Sequence, residues 1–229
     1  MLRELLLDIL LPKKCLGCGK EGQYICKDCE IFLSEVDPML GSPTSPVILG
    51  EVGLPDIVSA WEYEGIMEKA ILKIKYDGYY DIINELVEKA FGKIDLNLPP
   101  NTYITYVPMY KTKEKQRGFN QAELIARKLG NVLNQVKHKP EPVKVVPLLK
   151  KVKDNRSQVG LGPQERAENV RDVFELRTYD VRWTSYVQNV LIVDDVYTTG
   201  ATMNECMKVL RKAGIKNIYG FTLARKLRI

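Results

Sequence analysis

The chain has 229 residues, enough for one full-sized domain with a small appendage, because domains usually run to roughly 100–200 residues. Its composition, with 45% hydrophobic and 28% charged residues, is that of a globular protein and excludes collagen-like, low-complexity and wholly disordered chains. The formal net charge of +5 is compatible with polyanionic ligands, but by itself it does not indicate a dedicated nucleic-acid-binding protein.

Residues 1–11 are the first predicted element, a short amphipathic helix. The run MLRELLLDILL is apolar, but Arg3, Glu4 and Asp8 interrupt it, and a membrane-spanning helix needs about 20 apolar residues. The Pro-Lys-Lys sequence that follows does not resemble a secretory cleavage site. We therefore expect a cytoplasmic protein without a membrane span, and we leave open a peripheral contact with the inner face of the membrane.

Four of the five cysteines lie in two CxxC pairs that are seven residues apart, and these are Cys15, Cys18, Cys26 and Cys29. In a reducing compartment, two such pairs are typical of a tetrathiolate zinc site rather than of disulfides. Four protein thiolates leave no open position for water, so the zinc is expected to be structural. A redox CxxC is the alternative, but it would need only one pair. The fifth cysteine, Cys206, lies on an apolar helical face and is expected in the core.

A stretch rich in Pro, Gly and Ser at residues 38–46 follows the cysteines and is typical of a linker. We place the domain boundary there. The predicted domains are an amino-terminal helix with the zinc module in residues 1–45 and a larger domain in residues 46–229.

The larger domain begins with two predicted helices, because apolar residues recur at helical spacing around residues 66–74 and 82–90. Strands and helices then alternate: a strand at 103–107, a helix around 122–129, strands at 143–149 and 190–193, a helix around 203–210 and a strand at 218–223. This alternation predicts an α/β fold in which a parallel sheet is flanked by helices. The chain has a single histidine, His138 in a loop-like run, and this excludes most Ser-His, Cys-His and multi-histidine metal sites.

Residues 190–202, VLIVDDVYTTGAT, carry the chemistry. The four leading apolar residues suit a central strand, and open α/β sheets bind ligands at the carboxyl ends of their strands. Asp194 and Asp195 would then stand at the ligand edge, where carboxylates can accept hydrogen bonds from a vicinal diol and hold a hydrated Mg²⁺ ion.

Two threonine hydroxyls, a permissive glycine and the first turn of a helix follow the carboxylates, an arrangement that can cradle a phosphate. The cradle residues are Thr198, Thr199, Gly200, Ala201 and Thr202. With the acidic pair they predict a site for ribose 5-phosphate. The alternative is that Asp195 or Thr199 merely caps the helix.

Two clusters of basic residues follow predicted strands, and they consist of Lys111, Lys113, Lys115 and Arg117, and of Lys150, Lys151, Lys153 and Arg156. One use would be to neutralise a diphosphate leaving group. Another would be to follow a nucleic-acid backbone, with Tyr110, Phe119, Tyr76, Tyr79 and Tyr80 as stacking surfaces. A solvated charged loop is the third possibility for each cluster.

The run at 190–202 resembles the phosphoribosyltransferase family, whose signature is an apolar strand, an acidic pair and a Thr-Gly phosphate loop. Other segments are similar to ComF proteins: KIKYDG at 73–78, VPMY at 107–110, RGFNQ at 117–121, and RSQVGL at 156–161 with Arg166 and Asn169. ComF proteins share the last of these segments with amidophosphoribosyltransferases. The two CxxC pairs also match, so the resemblance covers nearly the whole chain.

The resemblance implies a type I phosphoribosyltransferase-like sheet with a small zinc module, and 5-phosphoribosyl 1-diphosphate (PRPP) with Mg²⁺ as the ligand. It makes Asp194 and Asp195 the catalytic pair and residues 198–202 the PRPP phosphate loop. The ComF name implies natural transformation, in which incoming single-stranded DNA is handled in the cytosol. The expected partners are therefore single-stranded DNA and DNA-uptake helicase or channel proteins.

Three functional classes stay open. The chain could be an active transferase that moves 5-phosphoribosyl from PRPP to a small amine or base, a PRPP-binding module with little turnover that serves DNA uptake, or a zinc-bearing interaction protein with a vestigial site. The intact acidic pair and phosphate loop count against the third class. We favour the second, because purine-salvage relatives place an acid at the position of Thr198 and this chain does not.

Overall fold

The computed structural model describes residues 12–36, 47–48, 57–94, 96–135, 141–154, 165, 169–177 and 187–227. The expectations for the helix at 1–11, the linker at 38–46, His138 and Arg156 lie outside these residues. In the described part of the chain, no helix is both long enough and apolar enough to cross a bilayer.

The described strands are β1 (Val47–Ile48), β2 (Ile57–Glu62), β3 (Leu96–Asn97), β4 (Thr102–Tyr106), β5 (Lys144–Val145), β6 (Leu149–Lys151), β7 (Phe174–Leu176), β8 (Asn189–Tyr197) and β9 (Asn217–Arg225). The described helices are α1 (Lys27–Glu30), α2 (Gly65–Tyr76), α3 (Ile82–Lys93), α4 (Lys111–Arg117), α5 (Gln121–Gln135) and α6 (Ala201–Lys212).

A five-stranded parallel sheet with the order β2-β9-β8-β4-β5 forms the core. The central strand β8 owes its place to the four apolar residues at 190–193, all of which are fully buried. Sheet residues covered on both faces by helices are usually such continuous apolar runs. The predicted α/β fold, a parallel sheet flanked by helices, is confirmed.

The helices form where the apolar spacing predicts them, and each buries the predicted face. In α6 this face consists of Met203, Cys206, Met207 and Leu210. Cys206 is therefore a core residue, as its position on the apolar face predicts. The separation of α2 from α3 near Gly78 is also as predicted, because Gly78 has a φ of 74°, in the left-handed region that favours glycine.

Strand β2 and helix α4 are among the elements that the sequence patterns did not predict. Strand β2 contains Ser59, which interrupts the apolar run but is fully buried, where its hydroxyl is 2.7 Å from the Thr222 hydroxyl of β9. Helix α4 has no buried residue, so it carries no apolar periodicity that could reveal it. Its residues are mostly good helix formers, and it ends at Gly118, where φ is 86°.

The single strand predicted at 143–149 is instead two short strands. The first, β5, joins the edge of the main sheet, whereas β6 leaves the sheet and pairs antiparallel with β7. A separate parallel pair joins β1 to β3. The carboxyl ends of the parallel strands β2, β4, β8 and β9 meet at one edge of the main sheet, and the candidate site lies there.

Candidate functional site

Asp194 and Asp195 lie side by side near the carboxyl end of β8. Asp195 is buried, and its Oδ2 atom is 2.8 Å from the Lys75 ammonium nitrogen. Gln121 Nε2 donates a second hydrogen bond, of 3.4 Å, to the same oxygen. Asp194 Oδ1 accepts a hydrogen bond of 2.9 Å from the Asp195 backbone N–H. The acidic pair therefore occupies the expected edge of the sheet and has a lysine as its counter-ion.

The groups of this cluster differ in proton affinity. Burial, followed by the negative charge of Asp195, raises the pKa of Asp194 to about 7. Burial tends to lower the pKa of Lys75, but the charge and the hydrogen bond of Asp195 outweigh it and the pKa rises. Lys75 is therefore a stable cation beside the acidic pair, and burial favours the neutral form of Asp194.

The turn from β8 into α6 depends on Gly200. Its φ of 80° lies in the left-handed region, and a Cβ atom there would collide with the Tyr197 hydroxyl. Thr199 Oγ1 accepts a hydrogen bond of 3.4 Å from the Ala201 backbone N–H at the start of the helix. The N–H groups of a first helical turn lack intrahelical acceptors and lie at the positive end of the helix dipole, so this turn is chemically suited to an anion.

A cavity of about 1160 Å³ lies at this edge of the sheet. Its lining includes both carboxylates and four residues of the turn, namely Asp194, Asp195, Thr198, Gly200, Ala201 and Thr202. Thr199 is not among the lining residues. Other walls come from Tyr63 after β2, Pro108 after β4 and Lys226 after β9. The structure therefore brings the acidic pair and the turn at residues 198–202 together around one space large enough for a sugar phosphate.

The first basic cluster lies on helix α4. Lys113 and Arg117 line the cavity, whereas Lys111 and Lys115 do not. Lys113 forms an ion pair of 3.1 Å with Asp154. The cluster is therefore a helical surface with two of its four members facing the cavity, and it is not a loop.

The sequence predicted that the second basic cluster follows a strand. In the structure the cluster begins inside strand β6. Lys151 lines the cavity, and burial followed by the positive charge of Lys113 lowers its pKa. Lys150 instead forms an ion pair of 2.9 Å with Glu175 of β7. Lys153 is exposed and does not line the cavity. Of the three members that the structure describes, Lys151 is thus the one that lies at the site.

Lys75 and Gln121 are site residues for which the sequence patterns predicted no role. Both lie in segments similar to ComF proteins, at 73–78 and 117–121, and those segments were the available signal. Asn120 fixes the start of α5, because its Oδ1 accepts a hydrogen bond of 3.0 Å from the Ala122 N–H and its Nδ2 donates one of 3.0 Å to the Val107 carbonyl. These contacts hold Gln121 at the end of β4, next to Asp195.

The four predicted zinc ligands form one cluster, in which the Sγ atoms of Cys15, Cys18, Cys26 and Cys29 all lie within 4.8 Å of one another. Thiolates at about 2.3 Å from a zinc ion lie about 3.8 Å apart in a tetrahedron, and the Sγ atoms of Cys18 and Cys26 are 3.6 Å apart. A Cβ atom at Gly17 would lie 2.7 Å from Cys29 Sγ, so this position has no room for a side chain. The cluster could hold a metal such as zinc.

The electrostatics of the cluster favour thiolate sulfur at Cys15. Burial tends to raise the pKa of this thiol, but hydrogen bonds from backbone groups of Cys26, Cys18 and Gly17 outweigh it and lower the pKa to about 6. Burial and the neighbouring thiols raise the pKa of Cys29 to about 12. A bound cation would provide the charge that four adjacent thiolates need.

The cysteine module packs on helix α3. Glu85 accepts hydrogen bonds from the backbone N–H groups of Tyr24 at 2.9 Å and Ile25 at 2.8 Å. Lys89 forms an ion pair of 2.6 Å with Glu30, and Lys93 forms one of 2.7 Å with Glu35. The module is therefore held by one face of a helix of the larger domain.

Comparison with known proteins agrees with these features. The phosphoribosyl transferase domain family matches residues 115–228. Competence protein F of Haemophilus influenzae is 30% identical over 92% of this chain and 84% of its own length. Competence protein ComFC of Bacillus subtilis is 24% identical over 92% of this chain and 77% of its own length.

A further relative, the DNA utilization protein YhgH of Salmonella typhi, is 25% identical over 75% of this chain and 72% of its own length. The family match at residues 115–228 includes the central strand β8 and the turn that follows it. The family resemblance seen in the sequence is confirmed. The chain belongs to the ComF family and contains a phosphoribosyl transferase domain.

Proposed function

We propose that the cavity binds PRPP or a related ribose 5-phosphate ligand, and that the protein uses this ligand while it handles single-stranded DNA in natural transformation. The observation that carries the first part is that Asp194, Asp195 and the turn at residues 198–202 meet around one cavity. Relatives named competence proteins and DNA utilization proteins support the second part. Such a protein would act in the cytoplasm, and its partners would be DNA-uptake helicase or channel proteins.

Each group of residues has a defined task in this proposal. The turn and the first N–H groups of α6 bind the 5-phosphate, and the carboxylates of Asp194 and Asp195 accept hydrogen bonds from the ribose hydroxyls. Lys113, Arg117 and Lys151 line the same cavity and would bind the diphosphate. Mg²⁺ usually keeps several waters and uses one or two carboxylates with phosphate oxygens. Because Lys75 already pairs with Asp195, the ion would rely on Asp194 and on the ligand.

The test is a calorimetric titration with PRPP and Mg²⁺. We expect the double variant Asp194→Asn, Asp195→Asn to lose binding, while circular dichroism shows that its fold is intact. Glu141→Gln combined with Asp172→Asn removes the same charge from exposed positions and should bind as the unaltered protein does. Undiminished PRPP affinity in a folded double variant would refute the assignment of the acidic pair.

An aromatic and basic surface beside the cavity favours the DNA part of the proposal. Tyr76 is 65% exposed, Tyr79 44% and Tyr80 59%. The Arg117 guanidinium lies 5.8 Å from the Tyr76 ring centre, and the Tyr80 ring packs edge-on at 5.8 Å against Phe119. Exposed rings flanked by cations are a typical way to bind single-stranded nucleic acid, because bases stack on the rings while the cations contact phosphates.

Anisotropy titrations with an unstructured single strand of about 30 nucleotides would test this surface. The pair Lys111→Gln, Lys115→Gln lies outside the cavity lining, so it should leave PRPP binding unchanged and should reduce the salt slope of DNA affinity, by about 0.7 for each lost phosphate contact. The control pair Lys212→Gln, Lys216→Gln is exposed at the opposite edge of the sheet and should have no effect.

If the unaltered protein bound no single strand even at low salt, the DNA part would be refuted. An active phosphoribosyltransferase that acts on a small amine or base would then explain the site better. Diphosphate release from PRPP in the presence of candidate amines would identify that activity.

A further inference from the structure

The cation beside the acidic pair, Lys75, lies outside the part of the chain that matches the phosphoribosyl transferase domain family. It lies on α2, whereas the match covers residues 115–228. Its ammonium nitrogen is 2.8 Å from Asp195 Oδ2, and the side chains are only 23% and 12% exposed. A pair this close and this sheltered from water is stronger than a surface ion pair, and the loss of one partner has a larger effect.

The position of Lys75 is fixed by the packing of its helix. The adjacent residue Ile74, together with Ala70 and Ile71 one turn earlier, is buried in the core. On the other side of Asp195, Gln121 comes from the start of α5. The carboxylate therefore lies between two helices that are both anchored in the core, and its orientation is set before any ligand enters.

Both donors use the same oxygen of Asp195. Among the described residues no hydrogen bond to its other oxygen, Oδ1, is found, and Asp195 lines the cavity. This oxygen can therefore accept a hydrogen bond from a ligand hydroxyl. The charge of the site matters as well, because the carboxylates of Asp194 and Asp195 repel a phosphorylated ligand when both are ionised. The Lys75 ammonium cancels the negative charge of Asp195.

We propose that Lys75 is a ligand-positioning residue that fixes Asp195 as an acceptor for a ribose hydroxyl and supplies part of the positive charge usually provided by Mg²⁺. The cavity then binds PRPP without a metal ion, and Mg²⁺ adds to this affinity without being required. This inference rests on the proposed function, because it concerns the same ligand in the same cavity.

The experiment measures PRPP affinity by calorimetry in EDTA and in excess Mg²⁺ for four proteins. The unaltered protein and Lys75→Arg, which keeps the charge, should bind PRPP in both conditions. In EDTA, Lys75→Gln should bind PRPP about tenfold more weakly than the unaltered protein, or weaker still, as expected when a hydrogen bond to a charged group is lost. Mg²⁺ should restore most of the lost affinity. Lys69→Gln removes the same charge from an exposed position on α2 and should match the unaltered protein.

The outcomes separate this inference from the proposed function. If PRPP bound the unaltered protein only in Mg²⁺, or if Lys75→Gln lost affinity equally in both conditions, the inference would be wrong and the proposed function would stand. If PRPP bound in neither condition, the proposed function itself would be wrong. Melting curves show whether each variant is folded. If Lys75→Gln does not fold, Lys75→Arg provides the test: a folded Lys75→Arg protein that no longer binds PRPP in EDTA would overturn the inference.

Discussion

The two adjacent carboxyl groups of the site, those of Asp194 and Asp195, have different surroundings. Asp195 is paired with Lys75, whereas burial and the charge of Asp195 raise the pKa of Asp194 to about 7. Gly200 allows β8 to turn directly into α6, so that carboxylates and helix N–H groups line the same cavity. Single residues therefore decide whether the acidic pair and the turn, the two halves of the proposed ribose 5-phosphate site, meet.

Gly200→Ala tests the role of the turn. The new side chain would adopt a left-handed φ and collide with Tyr197, so we expect PRPP binding to be lost and the free energy of unfolding to fall by more than the roughly 1–2 kcal/mol of left-handed strain alone. Gly214→Ala is the matched control, because Gly214 has a φ of 90° at the other end of the same helix but no atom near a new Cβ. Equal effects of the two substitutions on binding would contradict the assigned role.

The candidate site could be predicted in part from the sequence because its acidic pair and its turn lie in one continuous segment. Residues 190–202 contain the strand, both carboxylates and the turn without interruption, and each type of residue has a chemical reason to be there. Lys75 and Gln121 belong to other elements, and only the packing of α2 and α5 against the sheet brings them to Asp195. No periodicity in the sequence encodes that meeting.

At the scale of the elements, apolar spacing predicted helices that bury one face. It missed a helix that has no buried residue and a buried strand whose apolar run is interrupted by a serine. Helix α4 is wholly on the surface, and β2 hides a serine whose hydroxyl is paired across the sheet. The two short strands β5 and β6 replace one predicted strand because the chain leaves the sheet between them. These are tertiary effects, which a local pattern does not contain.

Glu85 on α3 is expected to hold the cysteine module in place. Glu85→Ala removes the acceptors of two backbone N–H groups, so we expect the free energy of unfolding to fall by about 2–3 kcal/mol. Glu88→Ala on the same helix removes only an exposed ion pair with Lys128 and should cost at most about 1 kcal/mol. Denaturant titration compares them, and equal losses would show that Glu85 does not anchor the module.

At the scale of the whole molecule, the cysteine module and the larger domain share one apolar core, since Ile25 and Cys29 are buried together with Trp61 and Ile66. The domain boundary predicted within residues 38–46 stays a prediction. The shared core implies that changes in the module are felt by the domain that contains the site.

Metal analysis tests the module directly. We expect about one zinc per chain in protein purified under reducing conditions, and Cys26→Ser should lose the zinc and melt at a lower temperature, because structural zinc contributes folding free energy. Cys206→Ala changes a cysteine that lies outside the cluster and should keep the zinc. Reduced protein without zinc would refute this assignment.

The central claim is that one cavity binds both the phosphate and the ribose of a ribose 5-phosphate ligand. A crystal structure with ribose 5-phosphate at saturating concentration measures this most directly. We predict the phosphate at the N–H groups of residues 199–202 and the vicinal hydroxyls at Asp194 and Asp195. A ligand held instead by lysines outside the cavity, such as Lys150 and Lys153, or a cavity that contains only water, would contradict the account.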